Sequence, residues 1–236
     1  MFNKLKFKNN PSNIFFISDL HYNHDPQWDV PLWKKRGFDS LSAHNEGLVR
    51  VWNEKCNSDS IVFNLGDVTF SDPEGKQFME LCRRLNFKEM YVLIGNHTSG
   101  HRKIYFETLR TFLDGSLGCN GGNEPQFEIY PLKLEIWENK NVIFLPEYVE
   151  VVVDDKPMVL CHYPLDSWNH MSHNSWMIHG HEHGSELRSK PFTLGAGKIL
   201  DVGVENLLDL REGAPINYGE LKKIMDKKQY VKVGHH

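Results

Sequence analysis

Cysteine is scarce in this chain. Cys56, Cys82, Cys119 and Cys161 are the only four in 236 residues, widely spaced and with no CxxC among them. A chain of this length can bury a sizeable core without cross-links, so the expectation is free thiols in a reducing cytoplasm rather than a disulfide framework. Long apolar runs are missing as well. Nothing approaches the ~18 residues that suggest a membrane span, and the opening MFNKLKFKNNP has no apolar h-region, so neither a membrane partner nor a signal peptide is expected. Charge of one sign is not in excess: 27 Lys and Arg stand against 31 Asp and Glu, a formal net charge of −4. No global basic field therefore attracts nucleic acid or an anionic membrane. Lys4, Lys6 and Lys8 form a mild basic patch that a solvated strand explains equally well.

What the chain does have is an ordinary globular composition, 40% hydrophobic and 25% charged. No repeat, low-complexity tract or Pro/Gly/Ser-rich linker divides it, so residues 1–234 read as one domain. His235 and His236 read as a tag remnant and are set aside.

Short apolar runs end abruptly in polar residues five times: Ile14–His21 (IFFISDLH), Ser60–Asp67 (SIVFNLGD), Glu89–His97 (EMYVLIGNH), Pro157–Pro164 (PMVLCHYP) and Ser175–His183 (SWMIHGHEH). Unbroken β-branched and aromatic runs of this length predict buried strands. Helical spacing lies between several of them. Leu41, Leu48, Val51 and Trp52 share one face, and Ser71, Pro73 and Glu74 predict the start of a helix carrying Phe78, Leu81, Cys82 and Leu85. A further helix is expected over 101–115, closed by Gly115. Strand–helix alternation followed by a strand-rich second half predicts an α/β fold with mixed sheets. Open α/β sheets place ligands at the C-terminal ends of their strands, where Asp19, His21, Asp67, Asn96, His97, His162, His181 and His183 fall.

The run WMIHGHEHG sets His179, His181 and His183 at alternate positions, nominally on one face of a strand. Gly180 and Gly184 let the backbone turn and crowd a ligand. A helical HExxH zinc site fails here, because glycine-flanked positions disfavour a helix. One histidine at a strand end is ordinary; three, with further candidate ligands on other strand ends, predict metal binding. The donors are imidazole, carboxylate and amide, which suit Mn²⁺, Fe, Zn²⁺, Co²⁺ or Ni²⁺ better than Ca²⁺ or a thiolate site. These groups exceed what one tetrahedral ion needs, so two ions sharing a carboxylate are expected.

Taken together, Asp19-Leu20-His21, Gly66-Asp67, Gly95-Asn96-His97, the lone His162 in CHYP and Gly180–His183 (GHEH) resemble, in order and spacing, the calcineurin-like metallophosphoesterase family. The flanks HYNHDP, RGFDSLSAHNEGLVRVWNEKC and LDVGVENL resemble its small, stand-alone bacterial and phage members. The resemblance implies a four-layer α-β-β-α sandwich with two mixed β-sheets and the metals at one rim. Carried over by position, Asp19, His21 and His183 would hold one ion, Asn96, His162 and His181 the other, and Asp67 would bridge. Mn²⁺ is the first candidate. His179 would be a supporting or core residue without a metal role. His97 would face the leaving group as general acid or phosphate donor, and His24 is a candidate phosphate contact.

The sequence departs from the family at Thr98, where an acid usually follows GNH. A carboxylate there would orient His97 and favour its cation. Either another acid such as Asp25 takes that part, or the enzyme is restricted to esters that need little protonation. Trp28, Trp33, Trp168 and His170 are candidates for the cleft wall or for packing. The expected function is hydrolysis of small or nucleotide-like phosphate esters, diesters or activated monoesters, with the oligomeric state open. The competing readings are a nuclease acting on nucleic-acid ends and a non-catalytic scaffold of the same fold.

Overall fold

In the computed structural model the described residues are 4–8, 10–26, 28–99, 132–137, 139–184, 197–211 and 213–229. The first half runs β1 (Leu5–Phe7), β2 (Ile14–Ile17), α1 (Leu32–Lys35), α2 (Leu41–Lys55), β3 (Ile61–Asn64), α3 (Lys76–Arg84), β4 (Glu89–Leu93) and the single turn α4 (Asn96–Ser99). Strands dominate the second half: β5 (Leu132–Trp137), β6 (Lys140–Leu145), β7 (Tyr148–Val153), β8 (Lys156–Cys161), β9 (Trp176–His179) and β10 (Lys198–Asp201). The chain then forms α5 (Val204–Arg211), β11 (Ile216–Asn217) and α6 (Tyr218–Lys227). The helix expected over 101–115 and Cys119 lie outside the described residues.

The strands form two mixed sheets, ordered β11-β2-β3-β4-β6-β5 and β1-β7-β8-β9-β10. Within the first, β2, β3, β4 and β6 are parallel neighbours, while β11 and β5 pair antiparallel at the two edges. The row Phe16, Phe63, Tyr91 and Ile143 lies on one face by register. That face meets the second sheet, where the Phe7 ring stands edge-on to Phe63 and Tyr91 at 5.4 and 5.6 Å. The alternate row, Phe15, Val62, Met90 and Val142, turns to the opposite face, where Phe78 of α3 lies 5.7 Å from Phe144 on that side of β6. Because both faces are covered, these strands read as continuous apolar runs rather than alternating ones. Burying each such side chain contributes ~1.5–3 kcal/mol.

The helices are held at both ends of the sandwich. Ser40 caps α2 by accepting from the Ala43 N–H at 3.1 Å. The helix expected from Ser71 begins instead at Lys76, because the Asp72 carboxylate takes the Phe78 N–H at 2.8 Å and Gly75 turns left-handed ahead of the first turn. Packed against β11, β2 and β10, α6 links the edges of the two sheets, and its start is fixed by a reciprocal capping box between Asn217 and Glu220. The outer face of the second sheet carries Val159, Cys161 and Met177 beneath Leu165, Trp168 and Ile199. Trp168 is therefore packing rather than cleft wall. Cys56, Cys82 and Cys161 are buried free thiols. Among the described residues no helix is long and apolar enough to cross a membrane.

Candidate metal centre

Five strand ends reach one rim. Asp19 and His21 follow β2, Asp67 follows β3, Asn96 and His97 follow β4, His162 follows β8, and His181 and His183 follow β9. The first three strands are parallel neighbours, as are the last two, so all deliver their C-terminal ends to the same edge. Five of these residues then leave ordinary backbone: φ is 58° at Asp19, 48° at His21, 49° at Asp67, 74° at His181 and 49° at His183. Left-handed backbone at a side chain other than glycine costs of order 1–3 kcal/mol and persists where the surroundings over-determine it.

The histidine run shows why the turns are needed. The strand β9 stops at His179, and the backbone turns at Gly180, as that flanking glycine suggests. Alternation places His179 with Met177 on the outer face of the second sheet, its Nδ1 2.8 Å from the Gly180 carbonyl. Gly180 follows, where an added Cβ would overlap Ser18 Oγ and the Asp19 carboxylate. His181 and His183 then turn left-handed into the rim. Gly95 is equally constrained, since a Cβ there would overlap Asp67 Oδ1 and stand 2.6 Å from the Asp67 nitrogen. These two glycines let backbone approach the central carboxylate groups.

Among the described residues, three overlapping sets of side chains can hold a metal ion: Asp19, His21 and His183; His21, Asp67 and His97; and Asp19, Asp67 and His162, with the donor atoms of each set within 4.8 Å of one another. Asn96 extends the second side, its Oδ1 lying 2.9 Å from His162 Nε2 and 3.0 Å from His181 Nδ1. Asp67 Oδ2 stands between the two sides, 3.8 Å from His21 Nε2 and 3.3 Å from His162 Nε2. Tautomers follow from the partners. His162 Nδ1 donates to the Leu65 carbonyl at 2.9 Å, which leaves Nε2 directed at Asp67 and Asn96. His183 Nδ1 faces Glu205 Oε1 at 2.8 Å, which leaves Nε2 on the Asp19 side.

The residues fit a divalent cation by a direct test. Asp19 Oδ1 and both ring nitrogens of His21 are buried with no hydrogen-bond partner. A buried imidazole with neither nitrogen bonded is costly, and a cation here would take Asp19 Oδ1 and one His21 nitrogen, Nε2, which faces the Asp19 and Asp67 carboxylates. The all-nitrogen-and-oxygen donor set suits a borderline transition ion.

Burial dominates the electrostatics and the neighbours decide its outcome. It pushes Asp19 up to about 6, against the lowering effect of His162 and His183. It would raise Asp67 too, but the hydrogen bond and charge of His162, joined by His97, hold that carboxyl below its ordinary value. His21 falls well below its ordinary range, through burial first and then through His183 and Arg36. Burial opposes the cation of His183, yet the Glu205 hydrogen bond raises it. Glu205 itself is held at about 2, because His183 and Arg36 outweigh its burial.

Arg36 ties this side together. Its Nε and Nη2 reach Glu205 Oε1 at 3.0 and 2.8 Å, and Nη2 donates to the Asp19 carbonyl at 2.7 Å. Its Nη1 donates to the Leu20 carbonyl at 2.9 Å and meets His44 Nε2 at 2.8 Å. Sequence reasoning missed Arg36, His44 and Glu205 as functional residues. The signal was present: all three stand in the flanks RGFDSLSAHNEG and LDVGVENL that carried the resemblance.

The other expected residues divide. His97 is half-buried at the rim, its ring 4.9 Å from His21, and its backbone N–H donates to Asp67 Oδ1 at 3.1 Å. His24 is buried beside the cluster, 5.3 Å from the His21 ring, and its Nδ1 accepts the Leu32 N–H at 3.2 Å, leaving Nε2 as the donor. Burial, then His97, lowers it to about 4, so it is neutral. Asp25 accepts from Trp33 Nε1 at 3.3 Å. His170 turns left-handed in the loop before β9, its ring 5.8 Å from His173.

An uncharacterized protein of Methanocaldococcus jannaschii, MJ1445, is 24% identical over 219 residues, covering 93% of this chain and 94% of that protein. The crystal structure of AQ665, a protein of unknown function from Aquifex aeolicus, shares the fold at a TM-score of 0.54 and 16% identity, over 89% of this chain and 98% of that one. The family description calcineurin-like phosphoesterase matches residues 12–185, a span that holds every ligand candidate from Asp19 to His183 and ends before Glu205. The chain belongs to the calcineurin-like phosphoesterase family.

Proposed function

We propose that the protein is a dinuclear metal-dependent phosphoesterase that hydrolyses small or nucleotide-like phosphate esters, diesters or activated monoesters. The observation that carries this reading is the place of Asp67, whose carboxylate stands between Asp19, His21 and His183 on one side and Asn96, His162 and His181 on the other. In the proposal each side holds one ion, Mn²⁺ first among Fe, Zn²⁺, Co²⁺ and Ni²⁺, and Asp67 contributes to both. Two such ions supply a nucleophilic water near neutral pH and offset charge on the phosphoryl oxygens.

The chain's own groups do the rest. The hydrogen bonds from His162 to the Leu65 carbonyl and from His183 to Glu205 fix which ring nitrogen faces the centre. His97, at the accessible rim, donates a hydrogen bond to a phosphoryl oxygen or a proton to the leaving group. Thr98 offers His97 no carboxylate partner, which suits esters with good leaving groups. The proposed partner is a small molecule, met in the cytoplasm, where buried Cys56, Cys82 and Cys161 stay reduced. A nuclease is the second reading, and the net charge of −4 weighs against it.

The test joins metal analysis of the purified protein to a panel of p-nitrophenyl mono- and diesters and 2′,3′- and 3′,5′-cyclic nucleotides. Two ions per chain and turnover of at least one ester class are expected, and Asp67→Asn should lower turnover at saturating Mn²⁺ by orders of magnitude. Near wild-type turnover in that variant overturns the dinuclear reading.

A further inference from the structure

Four large hydrophobic side chains are exposed among the described residues; of the aromatic ones, Tyr163 touches the metal centre and Trp28 stands one ring behind it, against Phe70. Trp28 is 78% exposed and Tyr163 is 38% exposed. The Trp28 ring lies 6.1 Å from Phe70, and Phe70 lies 5.1 Å from His97 and 4.2 Å from His24. Both of those imidazoles touch His21. Tyr163 lies 4.7 Å from His181 and 5.0 Å from His162. Tyr163 therefore meets the cluster directly at His162 and His181, and Trp28 meets it through Phe70 and then His97 or His24, while Asp67 faces both His97 and His162.

An indole that exposed is not packing: it forfeits most of the stabilisation that burial would give. Charge does not explain the rim on that side either, since Lys35 is paired with Asp29 at 3.2 Å and Arg36 is buried against Glu205. Flat π-faces at both edges of a phosphate-binding centre recognise flat rings, and stacking of this kind tolerates any base. The net charge of −4 favours a short ligand over a polyanion.

We infer that Trp28 and Tyr163 are two stacking platforms of a site for small phosphodiesters that carry a flat ring on each side of the phosphorus, in chemical terms a dinucleoside monophosphate. The inference rests on the phosphoesterase reading, which places the phosphorus at Asp67.

The test measures binding to the metal-loaded protein by equilibrium dialysis, with two probes. One is a dinucleoside phosphorothioate, with two bases; the other is a nucleoside methyl phosphorothioate, with one. Stacking one base changes affinity by roughly tenfold to a hundredfold, so the wild type should prefer the two-base probe by that factor. Trp28→Ala and Tyr163→Ala should each erase the preference, because each leaves a single platform for either probe. Trp28→Phe should retain most of it. Equal binding of the two probes by the wild type, or a preference that survives both alanine variants, overturns the inference. Cleavage of bis-p-nitrophenyl phosphate separates the two readings. Cleavage without the two-base preference leaves the phosphoesterase and removes the platforms. The preference pattern without cleavage of any ester leaves the platforms and removes the phosphoesterase.

Discussion

Replacing Glu205 by glutamine probes how one half of the centre is held. Glu205 Oε1 meets three nitrogens: Arg36 Nε at 3.0 Å, Arg36 Nη2 at 2.8 Å and His183 Nδ1 at 2.8 Å. Glutamine keeps the shape and one acceptor but removes the charge that faces Arg36, whose side chain is 1% exposed. Removing one partner of a buried ion pair costs about 3–5 kcal/mol. The Asp19 and Leu20 carbonyls still bind Arg36, so the lower end of that range is expected. The metal should feel it as well, since loss of a group that orients a ligating histidine typically weakens binding by roughly 10–100-fold. His183 serves only the side that holds Asp19 and His21, so one of the two ions should weaken first. Chelator competition with Mn²⁺ reads the affinity, and urea unfolding across pH reads the stability. Glu205 is held at about 2, below its unfolded value of ~4.3. Its contribution is therefore present above that unfolded value and is lost as pH falls toward about 2. Below ~pH 5 the gap between wild type and Glu205→Gln should shrink on acidification, and at the alkaline end it should shrink again as pH rises through the His183 pKa that Glu205 raises. Unchanged Mn²⁺ affinity, or a gap that grows in acid, would refute the reasoning.

Three further outcomes are expected. Gly95→Ala should drive a methyl group into Asp67 Oδ1 and the Asp67 nitrogen, lowering metal content and turnover together; a variant that binds metal normally would show that this contact relaxes freely. His181→Ala and His183→Ala should each lose metal by mass spectrometry while His179→Ala keeps it, because His179 stands on the outer face of the second sheet; equal losses in all three would contradict that placement. In the metal-free protein the stability of wild type relative to Asp19→Asn, read in urea, should fall as pH rises from ~4 toward 6, because burial raises Asp19 to about 6 and so favours its protonated form in the fold, whereas the opposite effect of the lowered His21, His24 and His44 is present in both proteins. Mn²⁺ should reverse that trend by favouring ionised Asp19, and an identical trend with and without the ion would count against Asp19 as a ligand.

The strands were legible in the sequence because a strand buried on both faces leaves a local trace, an unbroken apolar run stopped by polar residues. Phe15 and Phe16 point to opposite layers and are both buried, so their adjacency alone predicts a covered sheet. The start of α3 was misplaced for an equally local reason. Ser71 and Glu74 form the expected capping pattern, but Asp72 competes for the same free N–H groups and wins Phe78. Arg36 and Glu205 leave no such trace. Each is a charged residue on or beside a helix, and 169 positions separate them, so only the tertiary fold makes them a pair.

The alternate spacing of the histidines was legible, and the family resemblance assigns His181 and His183 to different ions, but the backbone that separates them was not legible. On a continued strand His181 and His183 would stand side by side on one face, offered to the same place. The chain instead leaves the strand at His179 and turns left-handed at both positions. The His181 N–H then binds Asp19 Oδ2 at 2.8 Å while its ring Nδ1 faces Asn96. His183 turns its Nε2 to the Asp19 side and its Nδ1 to Glu205. Two residues apart in sequence, the imidazoles serve opposite halves of the centre because the backbone between them is strained, and backbone strain has no signature in composition or periodicity.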